Sequence, residues 1–173
     1  MKKILTVIMV MLVCFAGCVA AGPRPPIELP FAVHQAGATV STELRIVERH
    51  KYPFFLVFMF NEKDRADQER VRKLVGYHQK DRHGKFIEPG IPIPLKITIN
   101  IIDSSGERLF LKKEVLTMGM DSGPSINDFD RKVDLIELAP GLYRVTVQGL
   151  KDIPELKDTK VILGIYPRQR GKS

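Results

Sequence analysis

The chain has 173 residues, enough for one domain and too few for two sizeable cores. Its 44% hydrophobic and 27% charged content exclude a wholly disordered chain, while 12 prolines and 13 glycines point to many turns and short strands. Lys and Arg total 27 against 20 Asp and Glu; the net +7 falls to +5 once a leader carrying Lys2 and Lys3 is removed, well short of a nucleic-acid-binding signature.

Met1-Lys2-Lys3 followed by the apolar run Ile4 to Phe15 has the layout of a secretory signal over 1–17. The run ends in Phe15-Ala16-Gly17-Cys18, which resembles a bacterial lipoprotein box. Small residues before the cysteine let the extended backbone enter the signal peptidase, and the Cys18 thiol accepts the lipid. Phe15 departs from the usual Leu, and bulky Val13 makes Cys14 the poorer acceptor. An uncleaved anchor over Ile4 to Ala21 and an ordinary cleavage stay open as alternatives. Cys14 and Cys18 are the chain's two cysteines, so a body processed at Cys18 has no disulfide and no Cys-based metal site. Val19 is not the Asp of an inner-membrane retention signal, which favours the periplasmic face of the outer membrane.

Ala21-Gly22-Pro23-Arg24-Pro25-Pro26 cannot enter a helix or a central strand, because proline lacks the amide donor and fixes φ. Residues 18–30 are therefore expected to be a lipidated cysteine and Pro-rich tether, residues 31–168 the folded domain, and 169–173 a basic tail. Thr39 to Val47 alternates with Val40, Leu44 and Ile46 on one side, as a half-buried strand does. Pro53 to Phe60 is continuously apolar and too short to span a membrane, so it reads as the central core strand.

A helix is expected next, capped by Asn61 or Asp64, with Ala66, Val71, Leu74 and Val75 on one side and Gly76 as terminator. A loop over Tyr77 to Pro94 follows, then the alternating strand Leu95 to Ile102. Asp103 to Gly106 reads as a hairpin turn, and Arg108 to Leu116 as the returning strand. Thr117 to Asp130 is polar and reads as a second loop. Lys132 to Leu138, Leu142 to Leu150 and Lys160 to Tyr166 complete the strands, with a short helical step at Pro154 to Leu156. This order predicts a mainly β fold, an immunoglobulin-like antiparallel β-sandwich with one inserted α-helix. Leu138-Ala139-Pro140-Gly141-Leu142-Tyr143 resembles the entry to the penultimate immunoglobulin strand, where a tyrosine hydroxyl folds back on the turn, so Tyr143 is expected to be structural.

Chemistry-bearing motifs are scarce. Gly119-Met120-Asp121-Ser122-Gly123 has the wrong spacing for a nucleophile elbow and lies in a loop. His78, Asp81, His83 and Glu88 share one loop, but cations are interleaved and no helical pair of histidines holds them, so a solvated loop is favoured over a metal site. Asp121, Asp128 and Asp130 do not match a calcium loop, and no phosphate-cradling glycine motif occurs. The expectation is a protein without enzymatic activity, metal or cofactor, which binds neither nucleic acid nor any membrane except through its lipid. The two long loops become the candidate surface for a periplasmic protein partner, through Tyr77, His78, Arg82 and His83 in the first and Met118, Met120 and Phe129 in the second.

The lipobox, Glu28-Leu29-Pro30-Phe31, Arg45-Ile46-Val47-Glu48, Phe58-Met59-Phe60-Asn61, Arg70 to Gly76, Ile87 to Pro92 and Leu138 to Val145 together resemble a family of proteobacterial periplasmic lipoproteins, a domain of unknown function. The likeness covers nearly all of the mature chain, and its motifs are scaffold-like. By address and size such proteins are similar to immunity proteins that neutralise lipase-type toxins delivered by type VI secretion, which implies no role for any single residue. A structural lipoprotein that maintains the envelope is the alternative reading.

Overall fold

A computed structural model of the chain describes residues 22–121 and 125–167. The signal 1–17, Cys18 and the basic tail 169–173 lie outside the described residues. Among the described residues, eight strands, one α-helix and a short 3-10 helix follow in the order β1 (Ile27–Pro30), β2 (Thr39–Ile46), β3 (His50–Met59), α1 (Arg65–Val75), β4 (Ile93–Asp103), β5 (Gly106–Thr117), β6 (Asp128–Leu138), β7 (Gly141–Gly149), the 3-10 helix Pro154–Leu156, and β8 (Val161–Ile165). Two antiparallel four-stranded sheets, ordered β1-β8-β3-β6 and β2-β7-β4-β5, make the expected mainly β sandwich with one helix.

Alternation explains which residues meet between the sheets. In β4 the inward Ile93, Leu95, Ile97 and Ile99 are buried and the residues between them are half-covered, as period two dictates. β3 breaks the alternation because both of its faces are covered. Phe54, Leu56 and Phe58 join the core, while Phe55 faces the other way beneath the Tyr166 ring, at 5.9 Å between centroids. Its neighbour Gly164 is the residue that makes room, since a Cβ there would sit 2.7 Å from the Tyr166 hydroxyl.

Three differences from the sequence expectation bear on the fold. Ile27–Pro30, the end of the stretch assigned to the tether, is β1 and pairs with β8. An edge strand tolerates Pro30, which needs no ladder partner on its open side. The loop expected through Asp130 ends earlier, because Asp128, Phe129 and Asp130 already belong to β6, paired with Met59, Phe58 and Val57. Their acids hid the strand. Ala66 is exposed, so the buried face of α1 is narrower than expected and consists of Val71 and Val75 with Leu74 half-buried.

The strand registers define two ends. Ile46 pairs with Gly141, His50 with Leu138 and Asp103 with Gly106, so the β2–β3, β6–β7 and β4–β5 turns share one pole. Met59 pairs with Asp128 and Ile93 with Thr117, so residues 60–92, 118–121 and 125–127 emerge at the other. At the first pole two tyrosines make the same bond: Tyr143 donates to Ala139 O at 3.0 Å, and Tyr52 donates to Glu48 O at 2.9 Å. Each brace stands beside a turn that carries the chain from one sheet to the other. Tyr143 is thus structural, as expected, and it has a counterpart in Tyr52. The chain also enters here, with Pro23 O accepting from Arg45 N at 2.9 Å and Gly22 buried against Leu142.

Candidate functional site

The opposite pole is a built surface. α1 begins with Asp64, whose carboxylate accepts from the Ala66 and Asp67 amides, and ends at Gly76 with φ +89°. The next residues double back as an arm. Tyr77 N donates to Glu88 O at 2.7 Å, Ile87 N to Gln79 O at 3.0 Å and Asp81 N to Lys85 O at 2.8 Å, with Lys80 bridged to Phe86. The Asp81 carboxylate fixes the tip by accepting from the His83 and Lys85 amides. What looked like a long open loop is a short hairpin with a tight tip.

Glycine lets the arm close onto the helix. Gly90 has φ +67°, and a Cβ on it would lie 2.5 Å from Gly76 N and Leu74 O. The two backbones therefore meet directly, and Ile91 N donates to Leu74 O at 2.9 Å. The second segment joins through Gly119, whose amide donates to Pro89 O at 2.8 Å and whose missing side chain admits the Phe86 ring.

At the centre sits Arg131, wholly buried on β6. Its guanidinium donates to Ile91 O at 2.7 Å, to Thr117 O and Leu74 O at 3.2 Å, and to Val75 O, while lying 5.5 Å from the centre of the Phe58 ring. One side chain thus ties the end of α1, the segment leading into β4 and the end of β5 to β6. Loss of water pushes its ionisation down to about 10, and its Nε has no hydrogen-bond partner. Sequence reasoning missed Arg131. The signal was there, since Phe129, Arg131 and Val133 alternate inward, but a charged residue discourages that reading.

Two depressions flank the arm. A cleft of about 280 Å³ lies between α1 and the arm base, with Arg65, Gln68 and Arg72 on the helix side, Tyr77 and His78 on the arm side, and Met120 and Phe129 along it. A groove of about 410 Å³ lies on the other side, where Phe86, Leu116, Met118 and Leu135 form apolar walls and Met120 again contributes. Of the groove's two cations, Lys132 pairs with Asp121 at 2.7 Å, while Lys80 lies over the Phe86 ring with its Nζ 4.5 Å from the ring centre.

Of the candidate partner-binding residues, Tyr77, His78, Met120 and Phe129 come together in the cleft. The Tyr77 and His78 rings stack at 4.7 Å. Met120 and Phe129 are each only 2% exposed, so they are floor rather than projecting surface: Phe129 is held in β6 and packs on Phe60 at 4.8 Å. Met118 is exposed and lines the groove instead. Arg82 and His83 line neither depression; they occupy the arm tip, where Arg82 Nε donates to His83 Nε2 at 3.0 Å.

The acids and bases of this pole are unequally engaged. Asp64 caps the helix and Asp67 pairs with Arg70 at 2.7 Å. Glu69 and Glu88 both hold Arg72, at 2.9 and 3.1 Å, which raises the ionisation of that guanidinium. Lys63, Arg65, Lys73, Lys80, Arg82 and Lys85 are exposed and make no salt bridge among the described residues, although Arg65 and Lys73 lie in the field of the Glu69 carboxylate. The surface is therefore cationic outward although its composition is mixed. The carboxylates of Asp81 and Glu88 are already committed, and no group of three or more His, Cys, Asp or Glu able to hold a metal occurs among the described residues.

Residues 28–167 match the model of a domain of unknown function, DUF5625. The chain belongs to that family. A crystal structure of a protein from Sulfurospirillum deleyianum is similar, with 27% identity, a TM-score of 0.72, and coverage of 84% of this chain and 98% of the other. The match to DUF5625 begins within β1 and ends just after β8, so the family domain coincides with the sandwich. A comparison with curated proteins returns no match.

Proposed function

We propose that this DUF5625 protein is a proteobacterial lipoprotein without enzymatic activity, anchored through Cys18 to the periplasmic face of the outer membrane, that binds another protein with its arm-and-helix pole. The form of binding we favour is that of an immunity protein, which occludes a lipase-type toxin delivered by type VI secretion. The observation that carries this reading is the polarity of the domain. Chain entry lies at the tyrosine-braced pole, where Pro23 and Gly22 pack beside Arg45 and Leu142, while the helix, arm and Arg131 build the opposite end.

Three residues separate Cys18 from Gly22, and the four chain steps between them reach about 14 Å at most. A lipid there holds the tyrosine-braced pole near the bilayer and turns the other pole outward, toward a soluble partner. Anchoring also raises the local concentration where a phospholipase acts.

Two experiments test the reading. Radiolabelled palmitate fed to cells is expected in the wild-type chain and absent from Cys18→Ser; an unacylated wild-type chain in the cytosol contradicts the anchor. A strain lacking the gene is expected to be sensitive to a rival's secreted toxin, with wild type restoring resistance and a Lys80→Glu, Arg82→Glu, Lys85→Glu variant failing to. Unchanged resistance in the deletion strain contradicts the immunity role.

A further inference from the structure

Each sheet ends in two edge strands, and three of the four are blunted. β1 has only four residues and includes Pro30. β2 is covered where the entering chain meets it, since Arg45 N donates to Pro23 O at 2.9 Å. On β6 the Asp130 and Lys132 carbonyls already accept from Asp121 N at 3.0 Å and from the Thr117 hydroxyl at 2.9 Å. β5 is different. It has 12 residues, and among the described residues the main chain over 107–116 makes no hydrogen bond except with β4.

A bulge at Phe110 interrupts the first half of β5, because Leu109 and Leu111 stand opposite the consecutive Asn100 and Ile99. Residues 111–116 beyond it keep a regular register, about 17 Å of open ladder. Leu111, Lys113 and Val115 are half-buried there, and Lys112, Glu114 and Leu116 are exposed. An inward charge such as Lys113 is a usual guard of an open edge, but here it is paired with Asp134 of β6. Lys112 and Glu114 make no salt bridge among the described residues; on β4, Thr98 stands opposite Lys112 and Lys96 opposite Glu114. The strand then runs into the arm-and-helix pole, where Leu116, Met118 and Leu135 of β6 are exposed along the groove of about 410 Å³. An unmade ladder selects an extended backbone, and the apolar strip at its end selects a large apolar side chain on that backbone.

We infer that β5 is the docking edge for an extended segment of a partner protein, which adds antiparallel to residues 111–116 as a fifth strand of the sheet, sets an acid opposite Lys112 and a base opposite Glu114, and seats an apolar side chain on Leu116, Met118 and Leu135. This rests on the protein-binding reading above and names how the partner is held. Opposite charges directly across an antiparallel pair attract and like charges repel, so the two exposed charges fix the register of the incoming strand. A second copy of this chain is the poorer occupant. The antiparallel register that sets Lys112 against Glu114 also sets Lys113 against Lys113, and the two-fold reverses one copy, so the two cannot both keep the anchored orientation proposed above.

The test uses the full chain in detergent micelles and fluorescein-labelled synthetic peptides, read by anisotropy. The probe Phe-Thr-Val-Ile-Lys-Thr-Glu-Val, laid antiparallel with its Phe beside Met118, puts Lys opposite Glu114 and Glu opposite Lys112. It is expected to bind at least tenfold tighter than the form with its Lys and Glu exchanged, and the exposed double variant Lys112→Glu, Glu114→Lys should reverse that preference. Methyl groups on alternate peptide amides report the backbone contact: the set facing β5 should abolish binding, and the other set should leave it within about twofold. Equal effects of the two sets overturn strand addition. Leu135→Glu is expected to weaken the probe about tenfold, and unchanged binding overturns the apolar seat. No binding of the probe, or no preference between the two charge forms, overturns the inference as a whole. So does a wild-type chain that dimerises in sedimentation velocity and loses the dimer in Lys112→Glu, since a second copy would then hold the edge. The deletion-strain assay reports the protein-binding reading independently, so restored resistance with no peptide preference would sink this inference and leave that reading standing.

Discussion

At one end of the sandwich the chain crosses between sheets within two or three residues, and each crossing carries a tyrosine whose hydroxyl reaches back four residues. At the other, residues 60–92 and 118–127 intervene before the strands resume, and one buried arginine gathers the ends. The first end is local: each brace closes within its own turn, and either should survive loss of the other. The second is collective, because Leu74, Val75, Ile91 and Thr117 all present carbonyls to the same guanidinium. A face built this way holds a fixed shape without a continuous ladder, which a docking surface requires.

Breaking the collective end should have the largest effect. Arg131→Met leaves main-chain carbonyls buried without their donor, and we expect about 3–5 kcal/mol of destabilisation in urea unfolding. An unchanged midpoint would mean that the detour is held by its own backbone bonds. Gly90→Ala should come next, at about 3 kcal/mol or more, because the new Cβ meets the backbone of Gly76 and Leu74 and the residue has positive φ. Gly84→Ala is the control at the arm tip: its φ is +77° but nothing lies within 4 Å, so only about 1 kcal/mol of strain is expected. Equal effects at the two sites would refute the close approach of arm and helix.

The local end should be less sensitive. Tyr143→Phe and Tyr52→Phe each remove one hydrogen bond, about 1 kcal/mol apiece, read from the same urea titration. Burial pushes both phenols above their usual value of 10.0, and the nearby Glu48 adds to the shift at Tyr52. A raised folded-state value means that the folded form holds its proton longer than the unfolded form. The associated stability is full below pH 10 and is lost as pH rises through the folded values. Alkaline unfolding should therefore steepen above pH 10 in the wild type and flatten in the double Phe variant. A double variant with the wild-type profile would assign the alkaline loss to other groups.

Period-two alternation made β2 and β4 legible in the sequence, and the run Pro53 to Phe60 announced the strand with both faces covered. The Pro-Gly turn before Tyr143 gave away one tyrosine brace, but nothing comparable marks Tyr52, because its carbonyl partner precedes a strand start rich in polar residues, His50 and Lys51. The site was less legible. Tyr77 and His78 stood out as aromatics among cations, and the cleft does contain them. Met120 and Phe129 stood out as apolar residues among acids, yet the structure buries them, since whether an apolar side chain in a polar stretch projects or plugs depends on distant partners such as Phe60. The arm hid because its bonds join residues across a Gly- and Pro-rich stretch that has no alternation to betray them, and Arg131 hid because its four acceptors come from three separate stretches of the chain.

Native-state hydrogen exchange measured amide by amide tests the collective end most directly. The Tyr77, Ile91 and Gly119 amides, which donate to Glu88, Leu74 and Pro89, should be protected together in the wild type and released together by Arg131→Met, while the amides of β2 and β7 keep their protection. Free exchange of those three amides in the wild type, or release of β2 and β7 along with them, would contradict a separate surface held by one arginine.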